Sequence, residues 1–326
     1  GVTLLIAPPG RKPFEGCAFL VRSPDADGKQ NRFFERGRAG VAAWWQEYGA
    51  FYKERAWAVG MVIGNEPDPS EAALRSWAEF MLEAIPFCEN EGLPPVWVGA
   101  WGRGSPQLRA ARPESRAWDI IAPVAQIAAG MDLHQYSLGR LCADMERAKW
   151  HELRHRLVIE ELRLIGARVP SLLIGECGVD MDNRQGWRAI GVSEEDYIAD
   201  WVKFGDELNK DAEVVAALGY VVAPNQDWVT FELTENIVRA FVARGRVAWT
   251  EGVPSLPEGV PSWPQPPVSA PVISAPPIIA TPVRLPPDNK NPAFLWDGRR
   301  CQDATALTAY YQSIDQTWLR SVTAVF

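Results

Sequence analysis

Cysteine and histidine are scarce. The 326 residues include five cysteines and three histidines. Cys17, Cys88, Cys142, Cys177 and Cys301 are widely spaced and odd in number, with no CxxC pair. This argues against a disulfide framework or a thiolate zinc site and leaves room for one incidental bridge. No stretch approaches 18 uninterrupted apolar residues, so no membrane-spanning helix is expected. Basic residues are outnumbered, 33 Lys and Arg against 41 Asp and Glu, for a net charge of -8. A nucleic-acid partner, which would call for a basic surface, is therefore not expected. There is no GxGxxG, no P-loop and no GxSxG, so dinucleotide, phosphate-cradle and serine-hydrolase chemistry have no motif here. No cofactor is expected. The first residue is Gly1 and no leader is visible, which reads as a processed or fragmentary N terminus.

The composition that remains is that of a globular chain with a substantial core: 47% hydrophobic and 23% charged residues. The length allows one large domain or two smaller ones. Fifteen tryptophans are many for it. Exposed rings of this kind stack on sugars, and buried ones fill cores.

The clearest boundary lies near residue 253. Residues 254–287 hold 12 of the 27 prolines. Proline removes amide donors and fixes φ, so this run reads as an extended, semi-rigid linker. Residues 288–326 form a short C-terminal segment with a helix expected around Ala304–Val322. Thirty-nine residues are too few for a confident core of their own.

Within residues 1–253, apolar strand-like runs alternate with amphipathic helices. The strands are expected at Val2–Ala7, Ala58–Gly64, Val96–Trp101, Met131–Tyr136, Ser171–Gly175 and Leu218–Val222. Helices are expected over Gly37–Glu54, from an N-cap at Ser70 to about Ile85, within Ala143–Ile165, after Ser193, and over Phe231–Val242. From the second strand on, strand starts are 38, 35, 40 and 47 residues apart. Such strand–helix units indicate a parallel α/β architecture, best matched by a (β/α)8 barrel and next by a doubly wound sheet. Six strands are found where a barrel needs eight. Cys17–Val21 is read as an excursion in the loop after the first strand, and the first two barrel strands are expected to be missing from this chain.

Two glutamates end strands. Glu66 follows the apolar run Ala58–Ile63 in Gly64-Asn65-Glu66-Pro67, and Glu176 follows Ser171–Ile174. In a (β/α)8 barrel the carboxyl ends of the strands share one face. Two facing carboxylates there suit glycoside hydrolysis, one donating a proton while the other attacks the anomeric carbon. Taken singly, each could be no more than a strand-end acid bonded to a loop. His134 and Tyr136 lie two apart near the end of the intervening strand and so point to one side of it. Trp101, at the end of its strand, and Trp228, in the loop Pro224-Asn225-Gln226-Asp227-Trp228, are candidate sugar contacts.

In this order the residues resemble the retaining β-glycosidases of glycoside hydrolase clan A, the superfamily of cellulases and β-mannanases. The resemblance covers about residues 1–235. It begins with Trp45 and Tyr52 on the helix before Asn65-Glu66-Pro67. It implies Glu66 as acid/base, Asn65 as holder of the sugar 2-hydroxyl, His134-x-Tyr136 on strand six, Glu176 as strand-seven nucleophile and Trp228 after strand eight. It makes Val2–Ala7 strand three and leaves the family's arginine after strand two without a counterpart. A carbohydrate substrate and extracellular or cell-surface use follow from the same resemblance and the linker style.

Two other readings compete. His151-Glu152-Leu153-Arg154-His155 fits the HExxH pattern of zinc metallopeptidases, with Glu176 as a conceivable third ligand. Lys149, Arg154 and Arg156 would crowd a dication, and the same spacing suits charged pairs on a solvated helix. The third reading is a non-catalytic carbohydrate-binding or assembly module.

Overall fold

The computed structural model describes residues 2–5, 18–23, 29–181, 185–222, 226–241 and 322–325. Eight strands form one sheet in sequence order: β1 (Val2–Leu5), β2 (Ala18–Arg22), β3 (Gly60–Val62), β4 (Val96–Trp101), β5 (Gly130–Ser137), β6 (Ser171–Val179), β7 (Val214–Val222) and β8 (Val322–Val325). The first seven run parallel. β8 pairs antiparallel with β7, and the sheet curls so that β8 also lies beside β1. The result is a partial (β/α) barrel.

Two expectations are corrected here. Ala18–Arg22 is not a loop excursion: it is a strand, paired in register from Val2↔Ala18 to Leu5↔Val21 on one side and from Leu20↔Gly60 to Arg22↔Val62 on the other. Val2–Leu5 is therefore one strand further from Glu66 than expected. At the other end of the chain, Val322 belongs to a strand rather than to a helix. The Pro-rich run 254–287 lies outside the described residues, as do residues 304–321.

The parallel strands read as near-continuous apolar runs because both faces are covered. All six residues of β4 and all eight of β5 are buried. The main core packs the outer face of the sheet against helices α1 (Asn31–Phe34), α2 (Gly40–Lys53), α3 (Glu71–Asn90), α4 (Ala117–Ile127), α5 (Met145–Ala148), α6 (His155–Leu164) and α7 (Glu194–Leu208). A smaller cluster, with Leu20, Val62, Trp97, Leu173 and Leu218, fills the inner face. Trp97 spreads over the flanking strands there. A Cβ on Gly130 would meet its ring at 2.3 Å, so β5 starts with the residue that has none.

Helix starts follow local chemistry where a cap is present. Ser70 accepts from Ala73 N–H at 3.3 Å and Ser193 from Asp196 N–H at 3.1 Å. α3 runs through Pro86 to Asn90, five residues beyond its expected end. α4 was not expected. It has no side-chain cap and carries Pro123, yet Ala117, Trp118, Ile121, Val124 and Ala125 give it a buried stripe. The helical pattern expected over Ala143–Ile165 is split into α5 and α6 by a turn at residues 149–154. Helix is present at residues 235–241, after a 3₁₀ turn at Gln226–Phe231. No helix among the described residues is long and apolar enough to cross a membrane.

Candidate active site

The carboxyl ends of β2, β3, β5 and β6 converge on one cluster. Arg22 ends β2, and it shares the inner face with Leu20, two residues before it. Its guanidinium donates to Asn65 Oδ1 at 2.6 Å and to Glu176 Oε1 at 3.0 Å. Tyr136 Oη donates to the other oxygen of Glu176 at 2.9 Å. His134 Nδ1 lies 3.2 Å from Glu66 Oε1 and 3.6 Å from Glu176 Oε2. Glu66, His134 and Glu176 each bring an atom within 4.8 Å of the others.

The backbone that presents Glu66 is held from behind. Gly64 N–H donates to Gln30 Oε1 at 3.2 Å, and Asn31 Nδ2 donates to the Asn65 carbonyl at 3.0 Å. Glu66 N–H continues the ladder to the Ala100 carbonyl at 2.8 Å. Glu66 itself has φ of 42°, left-handed backbone that a non-glycine residue adopts only when its surroundings impose it. Tyr52, fully buried on α2, donates to the Val62 carbonyl at 2.9 Å and ties that helix to β3.

The two carboxylates sit in different environments. The Glu66 side chain is 52% exposed and that of Glu176 is 12% exposed. Burial would push Glu176 up, but the charges of His134 and Arg22 and the hydrogen bonds from Arg22 and Tyr136 outweigh it. Its carboxyl is held below the usual range. Burial would lower His134, but Glu176, Glu66 and Asp132 around it outweigh that and raise it. Burial, with the Glu176 charge next to it, pushes the Tyr136 phenol well up, so it stays a donor. The buried Cys177 thiol, beside Glu176 in sequence, is also driven up by burial and bonded to the Leu218 carbonyl at 3.3 Å, which leaves it unsuited to attack.

The convergence of Glu66, His134 and Glu176 has the size of a cation site. Arg22 already neutralises Glu176, and the raised His134 favours a proton on the nitrogen a metal would need. The donor set fits proton chemistry and does not fit a resident metal.

Of the residues singled out from sequence, Glu66, Glu176, Asn65, His134 and Tyr136 come together. Trp228 is half-buried and lies edge-on to Tyr220 and Phe231, with centroids 5.4 and 5.3 Å away. Those two rings flank Tyr136 at 6.2 and 6.5 Å, so Trp228 belongs to the aromatic wall beside the site. Trp101 does not. It is fully buried between Trp77 and Trp118, at 5.1 and 5.8 Å, on the helix-facing side of β4, so the expectation of a sugar contact is corrected.

The HExxH reading is also corrected. α6 begins at His155, so His151 and His155 are not a helical i, i+4 pair. His155 is fully buried, with Nδ1 3.1 Å from Gln135 Oε1 and Nε2 2.9 Å from Asp211 Oδ2. Glu152 is fully buried and accepts from Cys142 N–H at 2.8 Å, so the segment is not a solvated helix either.

Arg22 and Asp132 were missed in sequence. Arg22 carries the same signal as the two glutamates, a polar residue closing an apolar run, but the run Ala18–Val21 is only four residues long and reads as loop from sequence. Asp132 stood in plain view next to His134, with nothing local to show that its carboxylate is fully buried.

No protein-family model and no curated protein matches this sequence. Among solved structures, the chain is similar to a β-D-glucuronidase of Dictyoglomus thermophilum (14% identity, TM-score 0.39, 62% of this chain and 33% of that one). It is also similar to a Lactobacillus rhamnosus β-glucuronidase (14%, 0.41, 63% and 33%) and to the Ruminococcus gnavus β-glucuronidase (14%, 0.44, 73% and 41%). The chain thus spans between a third and about two fifths of the length of these proteins. Likeness at this level carries neither activity nor substrate over to this chain.

Proposed function

We propose that this chain hydrolyses β-glycosidic bonds with retention of configuration, with Glu176 as nucleophile and Glu66 as acid/base. One observation carries the reading. Glu66, just past β3, and Glu176, within β6, each offer one carboxylate oxygen, and these nearest oxygens lie within 4.8 Å of each other, a close approach that supports the shorter of two known spacings. Retaining enzymes hold their pair about 5–5.5 Å apart, whereas inverting enzymes leave about 6.5–9.5 Å for a water between them.

The roles follow from the surroundings. Glu176, kept ionised by Arg22, His134 and Tyr136, attacks the anomeric carbon while Glu66, at the open side, hands its proton to the leaving oxygen. The C–O bond to the leaving group breaks and a glycosyl ester on Glu176 forms. Water then attacks that ester, Glu66 takes the water's proton, and the Glu176 carboxylate is released. In this reading Asn65, held by Arg22, bonds the sugar 2-hydroxyl and Trp228 contacts a sugar face. Secreted or cell-surface use belongs to the same proposal.

The test is stereochemical. Aryl β-glycosides from a panel of sugars, including uronides, are hydrolysed in an NMR tube, and the first-formed anomer is read before mutarotation. Retention of the β-anomer is expected. First-formed α-anomer would refute the assignment, and sugar binding without turnover would make the chain a binding module.

A further inference from the structure

Glu66 takes its direction from its backbone. Its side chain is 52% exposed, so packing does little to aim it. At its carboxyl stand His134 Nδ1, 3.2 Å from Oε1, and the backbone of Gly102, where a Cβ would lie 3.1 Å from the same oxygen. The backbone is itself under constraint. Glu66 has φ of 42°, and Gly64, two residues earlier, has φ of 80°. Glycine enters that region freely and glutamate does not. Pro67 adds to the conflict, because the residue before a proline is pushed toward extended backbone. Such a turn persists only where its surroundings over-determine it.

The first residue of α1 supplies that constraint from outside the strand ladder. Asn31 Nδ2 donates to the Asn65 carbonyl at 3.0 Å and to the Glu66 carbonyl at 3.3 Å, so one carboxamide nitrogen gives its two hydrogens to consecutive carbonyls. Between two carbonyl oxygens only the nitrogen end of the amide fits, which fixes its orientation. Its Oδ1 is buried over Gly64, where a Cβ would meet it at 3.4 Å. Asn31 is anchored by its neighbour in turn. Gln30, fully buried, accepts from Trp44 Nε1 on α2 at 3.1 Å and from Gly64 N–H at 3.2 Å. Gly64, Asn65 and Glu66 are thus all bonded to the Gln30-Asn31 pair.

We propose that Asn31 is a positioning residue for the acid/base: its carboxamide clamps the carbonyls of Asn65 and Glu66 and holds the left-handed turn that aims the Glu66 carboxyl into the cleft. The catalytic half of this rests on the glycosidase reading; the clamp does not. Glu176 is held separately by Arg22 and Tyr136, and the Asn65 side chain has its own bond to Arg22. Loss of Asn31 therefore weakens proton donation and leaves nucleophilic attack in place.

Two glycosides of one sugar separate those steps, a phenyl glycoside whose aglycone leaves with a proton and a dinitrophenyl glycoside whose aglycone leaves without one. On both, kcat/KM refers to free enzyme and substrate and so reads the first step. Asn31→Ala is expected to lose about 10–10²-fold on the phenyl glycoside and less than about threefold on the dinitrophenyl one. Asn31→Asp, of the same shape, sets a carboxylate against two carbonyl oxygens and should lose more on the phenyl glycoside. A fault of folding would lower both substrates alike. Hydrogen exchange read by mass spectrometry tests the clamp without any substrate. In Asn31→Ala the amides of residues 64–66 should exchange about tenfold faster or more, with those of β6 unmoved. Unchanged exchange at residues 64–66, equal loss on the two glycosides, or failure of both variants to fold would each overturn the proposal, the last because it would assign Asn31 to the fold. If the exchange behaves as stated but the wild type cleaves no glycoside, the functional reading fails and the clamp stands. If the wild type cleaves both glycosides and the variants match it, the functional reading stands and the proposal fails.

Discussion

Arg22 and Glu176 are 154 residues apart in the chain and 3.0 Å apart in the fold. The same guanidinium reaches Asn65 at 2.6 Å, so one side chain from β2 aligns the ends of β3 and β6. A planar fork can hold two acceptors at fixed angles, which an ammonium on a flexible stem does not do.

Replacing Arg22 by alanine leaves Glu176 buried without that cation and frees Asn65. We expect kcat/KM on an activated aryl glycoside to fall by about 10²–10³-fold, the usual loss for one preorganised donor. Arg22→Lys should recover only part of it. Steady-state kinetics of both variants check this, and wild-type rates in Arg22→Ala would remove Arg22 from the site.

Glu66→Ala and Glu176→Ala should differ in kind. Without its acid/base, the first should lose about 10²–10⁴-fold on poor leaving groups. It should keep much of its first step on a dinitrophenyl glycoside, and azide should accelerate it with formation of a β-glycosyl azide. The second should lose turnover on all of these substrates. Equal loss without azide rescue in both variants would leave the roles unassigned.

The two shifted groups make opposite contributions to pH stability. Glu176 has a depressed folded value, so its contribution is complete above its unfolded value of about 4.3 and is lost as pH falls through the folded one. His134 is raised, so its contribution is complete below about 6.5 and is lost as pH rises through the folded value. Together they favour the window between about 4.3 and 6.5. His155 is lowered by burial and works against stability as pH falls below about 6.5, so differences between variants are the clean measure. Wild-type Tm minus that of Glu176→Gln should shrink toward acid, and wild-type Tm minus that of His134→Gln should shrink toward alkali.

Much of the site was legible because parallel strands end in polar residues at one rim. Glu66, Glu176, His134 and Tyr136 could be placed from apolar runs and a two-residue spacing alone. Arg22 had the same signature and was lost with its strand, whose apolar run is short and follows a proline- and glycine-containing segment. α4 was hidden by Pro123 and the missing cap, although its buried stripe is regular. The break between α5 and α6 had no local signal at all. Glu152 and Arg154 turn inward to bond Cys142 N–H and the Ser105 carbonyl, loop partners 10 and 49 residues back that no helical spacing announces. β8 was unreadable for a related reason: its pairing with β7 joins segments about a hundred residues apart.

Trp101 and Trp228 looked alike in sequence, and the fold separates them into different tests. Trp101 is enclosed by Trp77 and Trp118, so Trp101→Ala empties a volume its neighbours only partly refill. The loss should be about 3–5 kcal/mol of stability, seen as a lower midpoint in urea. Any folded fraction should keep its KM, because no part of the ring reaches the inner face. Trp228 is half-buried against Tyr220 and Phe231, in the aromatic wall beside Tyr136. Trp228→Ala should cost less stability, and it should raise KM for oligosaccharides by about tenfold, the equivalent of 1–3 kcal/mol of stacking lost per ring. An aryl monosaccharide too short to reach the ring should be unaffected. Urea midpoints and KM values for both variants on both substrates give a two-by-two pattern. A KM rise confined to Trp101→Ala would reverse the assignment of the two rings.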